Sequence, residues 1–358
     1  MEVPRSDRLS SHDNALGLAR LLFATLVIVS HCSEVYYGDR RYEPLTMLFR
    51  TVSLGDLAVF GFFVVSGYLI CKSFDSGRGI KDYMLKRIIR IYPGFIVSFI
   101  VCLFAIGMFL LNIDVLKPSV LGRNALLLFI LGKPYLPGAF SGTHYPDLNG
   151  PVWTIAYEFR CYLLVALLGT AGWLKRPIVI LVSALICLMA APLIPLDTTH
   201  GVLNFLVGDL DRDLRLTGIF LLGACFYLYR GRIIYSRNYA LLALAVFVVG
   251  LFSPNTVALT SAAFGGYVVL AFFGPLSSNW ARKINNKNDI SYGVYLYGWP
   301  IMKVVAYLLP GIGLLELTLL TTVVAFGFGW ASWVLVEKRV MAAFTKRLAA
   351  HRAMQLSQ

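Results

Sequence analysis

Apolar runs of about 20 residues, long enough to cross a bilayer as one α-helix, recur along the whole chain. A helix satisfies its own backbone polar groups, which hydrocarbon cannot do. Of the 358 residues, 58% are hydrophobic and 14% are charged. A soluble domain is about a quarter charged. The sequence therefore predicts an all-α fold, a polytopic transmembrane helical bundle.

The apolar runs predict about ten membrane spans. Their approximate bounds are 15–36, 53–73, 91–113, 151–172, 177–195, 215–230, 238–253, 257–276, 291–310 and 313–336. A further run at 124–131 is too short to cross and is predicted to be re-entrant or interfacial.

Most of the 32 lysines and arginines fall on one set of alternating connecting segments. The positive-inside rule then predicts that both termini are cytoplasmic. We expect a cytoplasmic N-terminal segment 1–14, a transmembrane domain 15–336 and a basic cytoplasmic tail 337–358. Because the first segment has no apolar signal core, the first span is expected to be the point of membrane entry.

The net charge of +13 follows from this topology and from contact with lipid, so it indicates no nucleic-acid partner. The six cysteines lie within or beside apolar spans and lack the spacing of a disulfide framework or a metal site. We expect them to pack as small apolar side chains, and we expect no metal.

The first span carries Arg20 and His31 at the two ends of the run RLLFATLVIVSH. Helix geometry places the two side chains on one face, about 16 Å apart along the axis. Ionisable groups inside a span are costly, so this spacing favours a polar path through the protein. An interfacial arginine that snorkels, together with a hydrogen-bonded histidine, explains it equally well. Glu34 follows His31 by about one turn and is expected to orient or charge the imidazole.

The second span has Asp56 near its predicted outer end and contains Gly55, Gly61 and Gly67 at six-residue intervals. Small residues let membrane helices approach closely, so these glycines predict close helix packing. Ser66 is a candidate hydrogen-bond donor inside the same span.

The loop after the second span is strongly basic and ends in RIIRIYP. Arg87 and Arg90 are three residues apart, so they share a helix face, with Lys86 beside them. Paired guanidinium groups can hold phosphates bidentately. The alternative is an ordinary cluster of basic residues on the cytoplasmic side.

The fourth span opens with PVWTIAYEFRCYLL, in which Glu158 is expected about 10 Å below the outer surface, close to the depth of His31. A carboxylate inside a span is a functional candidate. A structural ion pair with an arginine of another helix is the alternative. The preceding loop, which contains Tyr145, is rich in glycine, proline and tyrosine and suits either a carbohydrate surface or a plain connector.

Taken in order, these segments resemble the membrane acyltransferase family 3, many of whose members O-acetylate sugars. The resemblance covers nearly the whole chain. One departure is Gly298, where many relatives have histidine. The matching segments are the Arg20-x10-His31 pair, GDLAVFGFFVVSGYLI, RIIRIYP, PVWTIAYEF and SYGVYLYGWPI.

The resemblance implies that residues 15–336 form an acyltransferase domain in a bacterial inner membrane. Such an enzyme moves an acyl group, by default acetyl, from cytoplasmic acyl-CoA to a hydroxyl of an extracytoplasmic glycan or lipid-linked oligosaccharide. His31 is implied to be essential, as a general base or a transient acyl carrier. The Arg87–Arg90 pair is implied to contact coenzyme A.

The remaining candidate residues are assigned from residue type and predicted depth, within the function that the resemblance implies. Glu158, Glu34 and Asp56 are predicted catalytic partners of His31; Arg20, Lys86 and Ser66 are predicted contacts of acetyl-CoA; and Trp153, Tyr157 and Tyr145 are predicted contacts of the acceptor. A proton-coupled membrane transporter would use the same intramembrane residue types. That alternative is disfavoured because the sequence shows no convincing internal repeat.

Overall fold

The structure is a computed structural model that describes residue 9 and residues 13–77, 79–194 and 208–346. Within these ranges the regular structure is helical and contains no strand, as predicted. Most of the predicted segment 1–14, the last residue of the predicted span 177–195 and residues 347–358 of the predicted tail lie outside the described residues.

The helices are numbered here in chain order. They are α1 Leu16–Tyr37, α2 Pro44–Phe49, α3 Leu54–Asp75, α4 Ile80–Leu110, α5 Pro118–Phe129, α6 Trp153–Thr170, α7 Pro177–Ala190, α8 Leu210–Leu228, α9 Arg237–Gly250, α10 Val257–Phe273, α11 Ser291–Leu308 and α12 Leu314–Lys346.

Four of the described helices, α1, α3, α4 and α12, are long and apolar enough to cross a membrane. The other predicted spans correspond to shorter helices, so the number of about ten spans stays a prediction, as do the sides of the termini. The short run at 124–131 lies mostly in α5, whose 12 residues are too few to cross.

Helix α4 begins at Ile80, well before the span predicted at 91–113. Hydropathy marks only the part of a helix that lies in hydrocarbon. The basic residues before it are good helix formers, so the helix continues through them. Arg87 and Arg90 are thus on a regular helix, as their spacing required.

Three of the described helices contain π-helical turns, at Val101–Leu110 of α4, Ser261–Gly265 of α10 and Trp333–Glu337 of α12. Such turns are rare overall but frequent at functional sites. The turn in α12 carries a buried glutamate, and the turn in α10 lines a groove.

The contacts divide the chain into two compact units. The first unit comprises Met1–Tyr83 and Trp153–Lys287, and the second comprises Met84–Val152 and Asn288–Gln358. The first unit therefore contains α1 to α3 and α6 to α10, whereas the second contains α5, α11, α12 and most of α4.

In the first unit, α1 and α3 pack antiparallel through glycines of α3. A Cβ on Gly55 would lie 3.1 Å from the Ser30 Oγ, and a Cβ on Gly61 would lie 2.5 Å from the Phe23 ring. Residue numbers rise along α3 as they fall along α1, which fixes the antiparallel direction. The predicted close packing of these glycines is confirmed.

Helices α3 and α8 approach until backbone meets backbone. A Cβ on Gly67 would overlap the carbonyl oxygen of Phe220, and a Cβ on Gly223 would overlap that of Val64. The predicted role of Gly67 is therefore confirmed as well. Contacts this close depend on van der Waals packing, which drives helix association in lipid.

In the second unit, the loop before α6 lies along one face of α11. The Trp299 Nε1 donates to the Asp147 carbonyl at 3.0 Å, and the Asn149 Nδ2 donates to the Leu296 carbonyl at 2.9 Å. The buried Lys303 donates to the Thr143 Oγ1 at 2.8 Å. Hydrogen bonds spaced along the helix thus hold this loop in one conformation.

We predict that Gly67→Ala lowers the midpoint of thermal unfolding in detergent, because the added methyl group forces α3 away from α8. Overpacking of this kind costs about 1–3 kcal/mol. Gly327→Ala in α12 is the matched control, since no neighbouring group lies within 4 Å of the position that its methyl group would take. Equal midpoints for the two variants would contradict the packing described here.

Candidate functional site

His31 lies near the end of α1 and is held by a carboxylate from the same helix. Its Nδ1 is 3.3 Å from the Glu34 Oε2, at the i,i+3 spacing expected from the sequence. The His31 side chain is 23% exposed and that of Glu34 is 9% exposed. A carboxylate on Nδ1 favours the tautomer whose Nε2 can accept a proton.

Arg40 connects this pair to the start of α3. Its Nε is 3.6 Å from the Glu34 Oε1, and its Nη2 donates to the Ser53 Oγ at 2.9 Å and to the Asp56 carboxylate. Ser53 and Asp56 also form a reciprocal capping box at the first turn of α3. The structure therefore gives Asp56 a clear structural task, while its catalytic role stays a prediction.

Glu158 of α6 is bound by two hydroxyl groups. Its Oε1 accepts from the Ser66 Oγ of α3 at 2.8 Å and from the Tyr162 OH at 2.7 Å. Arg160, two residues on, instead pairs with Asp213 of α8 at 3.3 Å. As expected, Arg160 and Glu158 do not share a face of the helix, and their spacing of two residues explains their different partners.

Glu158 and His31 lie at different levels along α1 and α3, with Glu158 further from the end of α1 that carries His31. His31 is next to Ser30, which packs at Gly55, whereas Ser66 is eleven residues further along α3, about 16 Å by helix rise. The antiparallel register of α1 and α3 places Ser66 near the level of Arg20, which is half-buried on α1.

This depth differs from the one expected from the sequence. The expectation placed the start of the fourth span at the outer surface, which put Glu158 about 10 Å below it. Glu158 meets Ser66 of α3 and Gly169 packs on the Phe74 ring, so residue numbers rise together and the two helices run parallel, with Trp153 near the level of Gly61. Helix α6 therefore begins about 10 Å further in than α3.

The predicted acceptor contacts Trp153 and Tyr157 lie together at the start of α6. Their rings meet edge to face at 5.2 Å between centroids. The Tyr157 OH accepts from the Asp209 backbone N–H at 2.9 Å, and the Arg160 guanidinium lies over the Tyr157 ring at 4.0 Å. Arg212 lies over Trp153 at 5.3 Å. The start of α6 thus presents aromatic faces beside charged groups.

The partners Asp209, Arg212 and Asp213 were not singled out from the sequence. The sequence signal that could have identified this segment is the acidic residues just before and within the first turn of α8. Tyr145, the third predicted acceptor contact, belongs to the second unit, where its ring packs edge-on against Trp299 at 6.1 Å.

In the second unit, Arg90 is held by two carboxylates. Its Nη2 donates to the Asp289 Oδ2 at 2.6 Å and its Nη1 donates to the Glu337 Oε2 at 3.1 Å. Ser332 donates to the other oxygen of Glu337 at 3.0 Å. Glu337 is 1% exposed and lies in the π-helical turn of α12. This turn places its carboxylate where Arg90 reaches it.

Two rings complete the surroundings of Arg90. Tyr292 and Trp333 lie 5.5 and 5.8 Å from its guanidinium carbon, within the range of cation–π contact. One turn earlier, Arg87 is half-buried and Lys86 is exposed. The two arginines of the predicted phosphate site therefore have different surroundings.

Neither the cysteines nor the acidic residues form a metal site in the part of the chain described. No group of three or more His, Cys, Asp or Glu side chains there could hold a metal ion. The six cysteines all lie in the described ranges and form no disulfide there; five are buried and Cys187 is partly buried, as packing side chains should be.

Comparison with known proteins gives one family and several relatives. A family model described as "Acyltransferase domain" matches residues 13–337. A protein of Shigella phage Sf6 named O-acetyl transferase is 26% identical over 94% of this chain and 98% of its own length. Nodulation protein 10 of Rhizobium leguminosarum bv. viciae is 24% identical over 97% of this chain and 98% of its own.

A third relative matches over a shorter region. Acyltransferase MdmB of Streptomyces mycarofaciens is 27% identical over 45% of this chain and 39% of its own length. No solved structure matches this chain.

We predict that Arg90→Gln destabilises the protein strongly, because it leaves two mostly buried acids without their cation. Breaking such a pair costs about 3–5 kcal/mol. The double variant Arg90→Gln/Glu337→Gln removes one acid as well and should recover much of the loss, as measured by thermal unfolding in detergent. A double variant no more stable than the single one would contradict a structural role for this pair.

Proposed function

Because the chain belongs to the acyltransferase family whose model matches residues 13–337, we propose that it transfers an acetyl group from acetyl-CoA to a glycan hydroxyl. The resemblance found in the sequence is confirmed at the level of the family, and the relatives named O-acetyl transferase and Nodulation protein 10 cover nearly the whole chain. The donor, the acceptor and the mechanism are our proposals.

The His31–Glu34 contact carries the proposal. With the Glu34 carboxylate at Nδ1, the Nε2 of His31 takes the proton of the acceptor hydroxyl. At the same time the oxygen of that hydroxyl attacks the thioester carbonyl carbon. The carbon–sulfur bond then breaks, and the leaving thiolate takes the proton from the imidazolium. Glu34 stabilises the imidazolium during this sequence, as the carboxylate of a catalytic triad does.

Glu34, rather than Glu158, is thus the proposed carboxylate partner of His31. Glu158 lies near the level of Arg20, and its Oε1 accepts from two hydroxyls. We assign this inner polar group to the donor: Glu158 accepts from amide N–H groups of the pantetheine arm, and Arg20 lies on the same path. The interval of about 16 Å along α1 between Arg20 and His31 is comparable to the reach of a pantetheine arm.

The phosphates of coenzyme A are assigned to Lys86 and Arg87 at the start of α4. Arg90 is included in the same basic segment, but its guanidinium already contacts Asp289 and Glu337. We therefore propose that Arg90 positions the segment while Lys86 and Arg87 supply charge to the ligand.

The acceptor is assigned to the start of α6. Trp153 and Tyr157 offer aromatic faces to a sugar ring, and the neighbouring Arg160 and Asp213 offer groups to hydroxyls. Because Trp153 lies between the levels of His31 and Glu158, a glycan that enters from the predicted outer side of a bacterial inner membrane would reach past His31 to contact this surface.

The first test supplies membrane vesicles with acetyl-CoA labelled in the acetyl group and follows label into base-labile ester on glycan. We predict that His31→Ala lowers transfer about 100-fold or more, the contribution of a general base. Binding of acetyl-CoA should be unchanged, since His31 acts on the proton. Transfer by His31→Ala at the native rate would exclude this mechanism.

Glu34→Gln should also lower transfer, because a neutral amide cannot stabilise the imidazolium. Glu316→Gln is its matched control, because Glu316 is an exposed glutamate in the first turn of α12. If neither the native chain nor any variant transfers label, a solute-uptake assay tests the transporter alternative.

Glu158→Gln separates the two proposed roles of the acidic residues. We predict that it weakens binding of acetyl-CoA, measured by titration, because it removes a carboxylate from the donor path. Glu34→Gln should leave binding unchanged. Native binding by Glu158→Gln together with lost transfer would return Glu158 to the catalytic step.

A further inference from the structure

A groove in the first unit has an apolar lining and one arginine. It lies between α8, α9 and α10 and encloses about 420 Å³. This volume is within the range of sites for small molecules. None of the residues that line it is assigned above to the donor, to the acceptor or to catalysis.

Two alanines make room for this groove. Ala243 of α9 shares a helix face with Tyr239 and Leu242, and all three line the groove. On α10, Ala263 and Phe264 line it from within the π-helical turn Ser261–Gly265. A larger side chain at either alanine would fill the space between the two helices.

Tyr267 fixes the loop that carries the arginine of the groove. The Tyr267 OH donates to the Ile234 carbonyl at 2.6 Å and accepts from the Ser236 N–H at 3.3 Å. Its ring stacks on Tyr235 at 5.3 Å between centroids. Arg232, two residues before Ile234, lines the groove in this fixed loop.

The two arginines near the groove differ in whether a carboxylate lies close to the guanidinium group. Arg230 lies over the Tyr227 ring at 4.1 Å and is 3.8 Å from the Asp75 carboxylate. Arg232 is exposed, and in the described ranges no carboxylate forms an ion pair with it. An anion in the groove would therefore find in Arg232 a cation that is not already neutralised.

The rim of the groove is apolar and open. Leu242 is 64% exposed, Tyr239 is 56% exposed and Ile234 is 69% exposed. Leu242 and Tyr239 belong to the predicted span 238–253 and are expected to face hydrocarbon, whereas Ile234 lies just before that span. The groove therefore joins an apolar surface to a positive charge, which is the pattern of an acyl chain next to an anionic headgroup.

We propose that this groove binds one anionic glycerophospholipid, whose acyl chain lies against Ala243 and Ala263 and whose phosphate contacts Arg232. Charge selects this occupant over a zwitterionic lipid. The segment that carries Arg232 is also predicted to face the cytoplasm, where anionic lipids collect. The site is a further function of the chain and does not depend on the proposed acetyl transfer.

The test measures retained lipid by native mass spectrometry of the full chain, purified in detergent with phosphatidylglycerol or phosphatidylcholine. The native chain should retain phosphatidylglycerol preferentially. Arg232→Gln should lower its retention about fivefold, the equivalent of one arginine at an anionic lipid surface. Arg237→Gln is the matched control, because Arg237 is exposed in the same basic segment but does not line the groove.

A second variant tests the apolar part of the site. Ala263→Leu should lower retention of phosphatidylglycerol although Arg232 is intact. If Ala263→Leu fails to fold, Ala243→Val fills the same part of the groove with a side chain of α9. The proposal is overturned if Arg232→Gln and Arg237→Gln lose lipid equally. It is also overturned if the native chain retains both lipids equally or if a filled groove retains phosphatidylglycerol.

Discussion

The cost of placing charge in an apolar environment governs this structure. An ionisable side chain inside a membrane helix must find a partner within the protein, since hydrocarbon offers none. Arg160 pairs with Asp213, Arg90 with Asp289 and Glu337, and Lys303 donates to Thr143. Each contact joins two different segments of the chain. The polar groups therefore fix which helices and loops lie side by side, in addition to any chemical role that they have.

The kind of partner distinguishes the candidate residues from one another. Arg90 is bound by two carboxylates and flanked by two rings, an arrangement that a phosphate would have to displace. His31 has a carboxylate on one ring nitrogen, and Glu158 accepts from neutral hydroxyls. These contacts are the reason that we propose proton transfer at His31 and a positioning role for Arg90.

The candidate residues on α1 and the glycines of α3 could be predicted from the sequence because both depend on spacing along one helix. The Arg20–His31 interval and the Glu34 contact follow from helix geometry, and Gly55, Gly61 and Gly67 face other helices as their spacing indicated. The depth of Glu158 could not be predicted in this way. It depends on how far α6 is displaced along α3, which no local pattern records.

By itself, the sequence determined the helical class, the long apolar helices and the family, and it supplied the candidate residues for chemistry, because these depend on composition and on short-range periodicity. Only the tertiary structure decided the other partners: Glu34 with Arg40, Ser66 with Glu158, and Glu337 with Arg90. These contacts join residues on different helices or segments. Their formation depends on the relative depth of helices, on π-helical turns and on backbone contacts at glycine, and these are properties of packing rather than of any one segment.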